Sequence, residues 1–141
     1  MAGAILDAGA LVAFFDRAER HHRWVSERMD ELAAPLLLCE PVLAETLYLL
    51  SDYSEAQDKV LAFIQSGAFS IAFEVGEHVG ALRKLLQKYR DVPMSFADAC
   101  IVRMTEIYDE HPVLTLDSDF FVYRKHGRVS LALIHPKLQV N

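Results

Sequence analysis

Five short apolar runs constrain the fold of this chain more than any other feature. Residues 4–6, 36–39, 69–73, 113–115 and 131–134 are each too short for a helix and show little of the alternation expected of a half-exposed strand. Such runs read as strands covered on both faces, the pattern of a parallel sheet. Between them the apolar spacing predicts helices over residues 10–15, 22–32, a stretch opened by Pro41, 54–66, 77–89 and 95–107, with a short one over 119–125. Val60, Leu61 and Ile64 share one helical face, as do Val79, Leu82, Leu85 and Leu86, and Phe96, Cys100, Ile101 and Met104. Pro41 suits a first helical turn, Ser54 and Ser95 are capping residues, and Gly67 is a stop. The expected order is β-α-α-β-α-α-β-α-α-β-α-β. Strands joined in this way by helices place the chain in the α/β class, with helices on both faces of the sheet. At 141 residues and 52% hydrophobic content, one domain spanning residues 1–141 with a true core is expected.

Four carboxylates stand where apolar surroundings make a charge costly. Asp7 closes the run Ala4-Ile5-Leu6. Glu45 stands in Val42-Leu43-Ala44-Glu45-Thr46-Leu47, Asp98 in Phe96-Ala97-Asp98-Ala99-Cys100, and Asp117 follows Val113-Leu114-Thr115-Leu116. A buried carboxylate needs something to stabilise its charge, and no matching Lys or Arg lies in these runs. In open α/β sheets, ligands bind beyond the carboxyl ends of the strands. Asp7 and Asp117 follow strands directly, and Glu45 lies one to two turns into the helix after the second strand. The topology alone does not decide which end Asp98 occupies. Its place in the first turn of an apolar helix favours an ionised acid there. Two carboxylates about 4 Å apart repel by roughly 4 kcal/mol at an effective dielectric of about 20. Clustered acids therefore imply a bound cation or raised pKa values, and oxygen-only ligands favour Mg²⁺ or Mn²⁺.

The net charge of −6 argues against a broad basic surface for nucleic acid, although a short stretch of backbone could still be gripped through metal and a few local cations. Cys39 and Cys100 lie in apolar runs without CxxC spacing, so two buried free thiols are expected. No basic leader opens the chain and no apolar run approaches the ~18 residues of a membrane span. A soluble, cytoplasmic protein without membrane contact is expected.

Ile5-Leu6-Asp7, Leu43-Ala44-Glu45, Ser95-Phe96-Ala97-Asp98-Ala99 and Thr115-Leu116-Asp117-Ser118-Asp119-Phe120, in that order, resemble the PIN domain family. Pro93-Met94-Ser95-Phe96-Ala97-Asp98-Ala99 and the chain length resemble its VapC-type toxin ribonucleases. The resemblance covers nearly the whole chain. It implies a three-layer α/β/α sandwich around a central parallel sheet of about five strands. It implies an endoribonuclease using Mg²⁺ or Mn²⁺ to hydrolyse RNA phosphodiesters, with Asp7, Glu45, Asp98 and Asp117 as its catalytic and metal-binding acids. Asp7, Asp98 and Asp117 would hold a metal, and Glu45 would bind it directly or hold water. Thr115 matches the family's hydroxyl residue before the last acid, and Asp119 an auxiliary position. The resemblance also implies a homodimer and an antitoxin partner that inserts into the acidic groove.

Two other readings compete. A non-catalytic module of the same fold would bind RNA or protein, but all four acid positions are filled. A receiver-like signalling domain with an acidic Mg²⁺ pocket would need an acidic pair after the first strand and an acceptor Asp after the third. The chain has Asp7-Ala8 and Phe73-Glu74 there. Two basic stretches, residues 83–90 and 124–128, read as solvated faces or as contacts to RNA phosphates.

Overall fold

The computed structural model describes residues 3–138. Its elements run β1 (Ile5–Leu6), α1 (Ala8–Phe15), α2 (His22–Asp30), β2 (Leu36–Leu37), α3 (Glu40–Leu49), α4 (Ser54–Gln65), β3 (Phe69–Ser70), α5 (Val79–Lys88), α6 (Phe96–Ile107), β4 (Val113–Leu114), β5 (Arg124–Lys125), β6 (Val129–Ser130) and β7 (Leu133–Ile134). Among the described residues, β3-β2-β1-β4-β7 form one sheet in that order, and all its pairings are parallel. The architecture is the expected three-layer α/β/α sandwich.

The apolar runs explain why this sheet is interior. Ile5, Leu6, Leu36, Leu37, Val113 and Leu114 are all buried, as strands covered on both faces must be. Hydrogen bonding continues one residue past the strand ends. The Asp7 N–H donates to the Leu114 carbonyl at 3.2 Å and the Thr115 N–H to the Ile134 carbonyl at 3.1 Å. With Leu6 opposite Leu114 in register, Asp7 and Thr115 stand side by side at the carboxyl end of the two central strands. The chain builds outward from β1 through β2 to β3, then returns to the other side at β4. The β1/β4 boundary is therefore the point where strand order reverses, the usual place for a ligand crevice.

Two helices aim at this edge. Helix α3 follows β2 directly, with Pro41 in its first turn. Helix α6 leads into β4 through a short link, so it runs antiparallel to the strand and its first turn lies at the strand's carboxyl end. Ser95 caps α6, its hydroxyl accepting from the Asp98 N–H at 3.0 Å. Gly67 follows α4 with φ of 87°, the left-handed stop that glycine adopts at least cost.

One expectation is overturned. The helix expected over residues 119–125 is a 3-10 turn, Ser118–Phe121, followed by the hairpin β5–β6. The turn residues decide it. His126 and Gly127 take φ of 49° and 83°, as a primed hairpin turn requires, and the Arg128 N–H closes the turn on the Lys125 carbonyl at 3.2 Å. The expected cap at Ser54 also shifts. Tyr53 occupies that position without a side-chain bond, and Ser54 is already helical. Cys39 and Cys100 are free and buried. Among the described residues, no helix is long and apolar enough to cross a membrane.

Leu114 is fully buried between the central strands and the helices. Leu114→Ala should therefore destabilise the protein by about 3 kcal/mol, measured by denaturant unfolding at unchanged m-value.

Candidate metal centre

Asp7, Glu45, Asp98 and Asp117 line a single open cleft of about 280 Å³, together with Gly9, Leu49 and Leu116. Strand ends supply Asp7 and Asp117, the second turn of α3 supplies Glu45, and the first turn of α6 supplies Asp98. One carboxylate oxygen each from Asp98, Asp117 and Asp119 lie within 4.8 Å of one another. Asp119, read from the sequence as auxiliary, thus stands closer to Asp98 and Asp117 than its assigned role required. Asp7 and Glu45 line the same cleft without joining that tight group.

The burial of the acids differs from the reading that all four sit in apolar surroundings. Asp7 is buried and Asp98 partly so, whereas Glu45 and Asp117 are exposed. Helix α3 buries Val42 and Thr46, one turn apart, which turns the intervening Glu45 outward toward the cleft rim. Asp117 lies beyond the strand, where the chain has already emerged.

Each central acid is oriented by neutral donors. Asp7 Oδ1 accepts from the Ala8 N–H at 2.8 Å, and Asp7 Oδ2 from the Thr115 hydroxyl at 2.6 Å. The Thr115 hydroxyl in turn accepts from the Asp117 N–H at 3.0 Å, so one side chain ties the ends of both central strands together. Asp117 Oδ1 accepts from the Asp119 N–H at 2.9 Å. Asp98 Oδ2 accepts from the Tyr123 hydroxyl at 2.9 Å. Sequence reasoning missed Tyr123. It is fully buried, packed edge-on against Tyr89 and Phe120, and set in place by the chain entering the β5–β6 hairpin. The Tyr89 hydroxyl accepts from the Arg124 N–H at 2.8 Å. A readable signal existed in His126-Gly127 flanked by Arg124-Lys125 and Val129-Ser130, which marks a hairpin beginning next to Tyr123.

Electrostatics points to a missing positive charge. Burial pushes the Asp7 carboxyl up to about 6, against the opposing pull of its Thr115 and Ala8 hydrogen bonds, and the charges of Asp98 and Asp117 add to the rise. Burial also raises Asp98, opposed by its Tyr123 and Ser95 bonds. The Tyr123 hydroxyl is held firmly protonated by burial and by its bond to Asp98. Among the described residues, no Lys or Arg forms an ion pair with Asp7, Glu45, Asp98, Asp117 or Asp119. The Lys137 ammonium reaches the Ser118 hydroxyl at 3.0 Å without pairing with the acids on either side. Oxygen-only donors, mutually close and without a cationic side chain, suit a hard divalent ion.

Residues 4–125 match the family model of the PIN domain. Ribonuclease VapC26 of Mycobacterium tuberculosis is 34% identical over 119 residues, which cover 83% of this chain and 88% of that relative. The crystal structure of Mycobacterium tuberculosis VapC20, described as a sarcin-ricin loop cleaving toxin, superposes with a TM-score of 0.74. Its sequence identity is 15%, with 83% of this chain and 92% of that chain covered. At that identity the likeness concerns the fold.

The raised Asp7 pKa has a definite consequence for stability. The metal-free fold holds the Asp7 proton more tightly than the unfolded chain does, so the contribution is full below about pH 4 and is lost as pH rises through about 6. The loss is on the order of 3 kcal/mol at 1.36 kcal/mol per unit. Asp7→Asn should flatten this slope and raise the thermal midpoint of the metal-free protein at pH 7. A denaturant series from pH 4 to 8 on both proteins, in chelator, measures it.

Proposed function

The chain belongs to the PIN domain family, in its VapC-like branch, and from that premise we propose that the acid-lined cleft is the centre of a toxin endoribonuclease hydrolysing RNA phosphodiester bonds with a divalent cation. The observation that carries this reading is the convergence of Asp98, Asp117 and Asp119 oxygens beside the buried Asp7, with no cationic side chain paired to any of them.

A phosphodiester is itself an anion, and a cleft lined by carboxylates repels it. Binding of the scissile phosphate there therefore requires a cation between the two. Asp7, Asp98 and Asp117, with Asp119 beside them and Glu45 at the rim, are the residues that would hold it. Magnesium or manganese bound there would supply Lewis acidity, neutralisation of phosphate charge and a more acidic water.

The protein's own part is positioning. Thr115 and the Ala8 N–H fix both oxygens of Asp7. Tyr123 fixes Asp98 from the hairpin side, while the Ser95 cap holds the backbone of the same turn. The Asp117–Asp119 turn holds one oxygen of Asp117 and leaves its second without a protein donor among the described residues. The open shape of the cleft admits a chain passing across it.

The same charge complements a basic antitoxin segment. Leu49, which lines the cleft, is half exposed, and Tyr48, Tyr53 and Leu61 of α3, α4 and the link between them are exposed as well. Exposed apolar side chains of this kind suit an antitoxin or a second copy of the chain, and a cytoplasmic homodimer under antitoxin control belongs to the proposal.

Two variants test the reading. Asp98→Asn should reduce RNA cleavage at least about a hundredfold without lowering thermal stability, and Tyr123→Phe about tenfold. Cleavage assays with structured and unstructured RNA, in Mg²⁺, Mn²⁺ or chelator, provide the measurement. Undiminished cleavage by Asp98→Asn, or by wild type in chelator, overturns the assignment.

A further inference from the structure

A second cavity, of about 490 Å³, lies between α5, α6 and the β5–β6 hairpin, and its charge is opposite to that of the acid cleft. Lys84 and Lys88 come from one face of α5, Arg103 and Glu106 from α6, and Arg124 from the hairpin. The two basic stretches that the sequence presents as separate faces are thus one wall. The Lys88 ammonium donates to the Gly127 carbonyl, joining α5 to the hairpin turn.

The charges of this groove are largely not neutralised by carboxylates. Arg103 pairs with Glu106 at 3.0 Å. Among the described residues, Lys84, Lys88 and Arg124 form no ion pair. Arg124 holds its guanidinium on the carbonyls of Phe121, Val122 and Tyr123, which fixes its place without cancelling its charge. Four cations against one carboxylate leave three positive charges on a chain whose net charge is −6.

The groove and the acid cleft share two elements, α6 and the segment entering the hairpin. Tyr123, which donates to Asp98, is the residue before Arg124. Arg103 follows Asp98 by five positions on α6, about 7.5 Å along the axis and about 140° around it, so a strand reaching both must curve about the helix.

We propose that this groove is a backbone-binding track for single-stranded RNA, taking the phosphates that flank the one held at the acid cleft. The identity of the polyanion rests on the nuclease reading. A strand with one phosphate at the acids must continue across a surface that is mostly repulsive, and this groove, built on the same α6 and hairpin segment, carries the opposite sign. Phosphate contacts of this kind position the strand without reading its bases.

Salt dependence provides the test, because each lost phosphate contact on a single strand lowers the slope of log K against log salt by about 0.7. Binding of a fluorescent single-stranded RNA is measured on an Asp98→Asn background, with and without Lys84→Gln and Lys88→Gln. The double substitution should weaken binding several-fold at low salt and reduce the slope by about 1.4. In the cleaving protein it should raise KM. Lys84→Gln alone, at a side chain with no protein partner among the described residues, should give about half the slope change and leave the thermal midpoint in place. Lys59→Gln, on α4, should leave the slope unaltered. An unchanged slope in the double variant overturns the proposal, as does loss of binding to an antitoxin peptide with RNA binding intact. A reduced slope in a protein whose wild type cuts no RNA upholds the groove and removes the nuclease reading alone.

Discussion

The hydrogen bond between the Thr115 hydroxyl and Asp7 depends on the register of β1 against β4, and the rest of the site depends on that bond. Parallel strands bring residues at equal height to roughly 4.8 Å apart. Leu6 opposite Leu114 therefore sets Asp7 beside Thr115, and 2.6 Å between their oxygens follows. The same hydroxyl accepts from the Asp117 N–H, so the turn carrying Asp117 and Asp119 is anchored to the strand end. Slippage by one residue would send Asp7 to the opposite face. The buried apolar faces of Ile5, Leu6, Val113 and Leu114 prevent that slippage. Core packing and site geometry are thus one constraint.

Much of this was legible in the sequence, and what was not has definite causes. Asp7 and Asp117 follow apolar strands, and the crevice rule places such residues without further information. Asp98 was undecidable by counting helices across the β3–β4 connection. The short link from α6 into β4 decides it, because a helix that enters a strand directly runs opposite to it. The hairpin was hidden because Ser118-Asp119-Phe120-Phe121 begins as a helical turn and its apolar residues continue with helical spacing. His126 at positive φ breaks it, and a non-glycine residue in that region gives only a weak sequence signal. Tyr123 was lost with the hairpin, because a tyrosine between Val122 and Arg124 reads as packing unless the strand that presents it is known.

The separation of charge across the surface also resolves a tension in the composition. A chain of net charge −6 is a poor general ligand for RNA. Here the acids collect at the strand ends, where they can hold a cation, while cations from three elements collect along α5 and the hairpin. Neither cluster is contiguous in sequence: residues 7, 45, 98, 117 and 119 make one, and 84, 88, 103 and 124 the other. Overall charge therefore says little about such a protein, because folding sorts the two signs onto separate surfaces.

All the groups that orient the acids are neutral. Asp7 is held by a backbone amide and a hydroxyl, Asp98 by a phenol, and Asp117 by a backbone amide. An arginine in any of these places would orient a carboxylate equally well. It would also cancel the charge on which cation binding depends, and its departure would leave a buried ion alone. Neutral donors leave that charge intact, and the cost appears as the raised Asp7 pKa rather than as a salt bridge. Tyr123 shows the logic most clearly. Its hydroxyl is buried and kept protonated beside Asp98, so it can donate but cannot add a further negative charge to the cleft. A site built this way is preorganised in geometry and unfinished in charge, and binding a divalent ion would relieve the electrostatic strain that the fold carries without one.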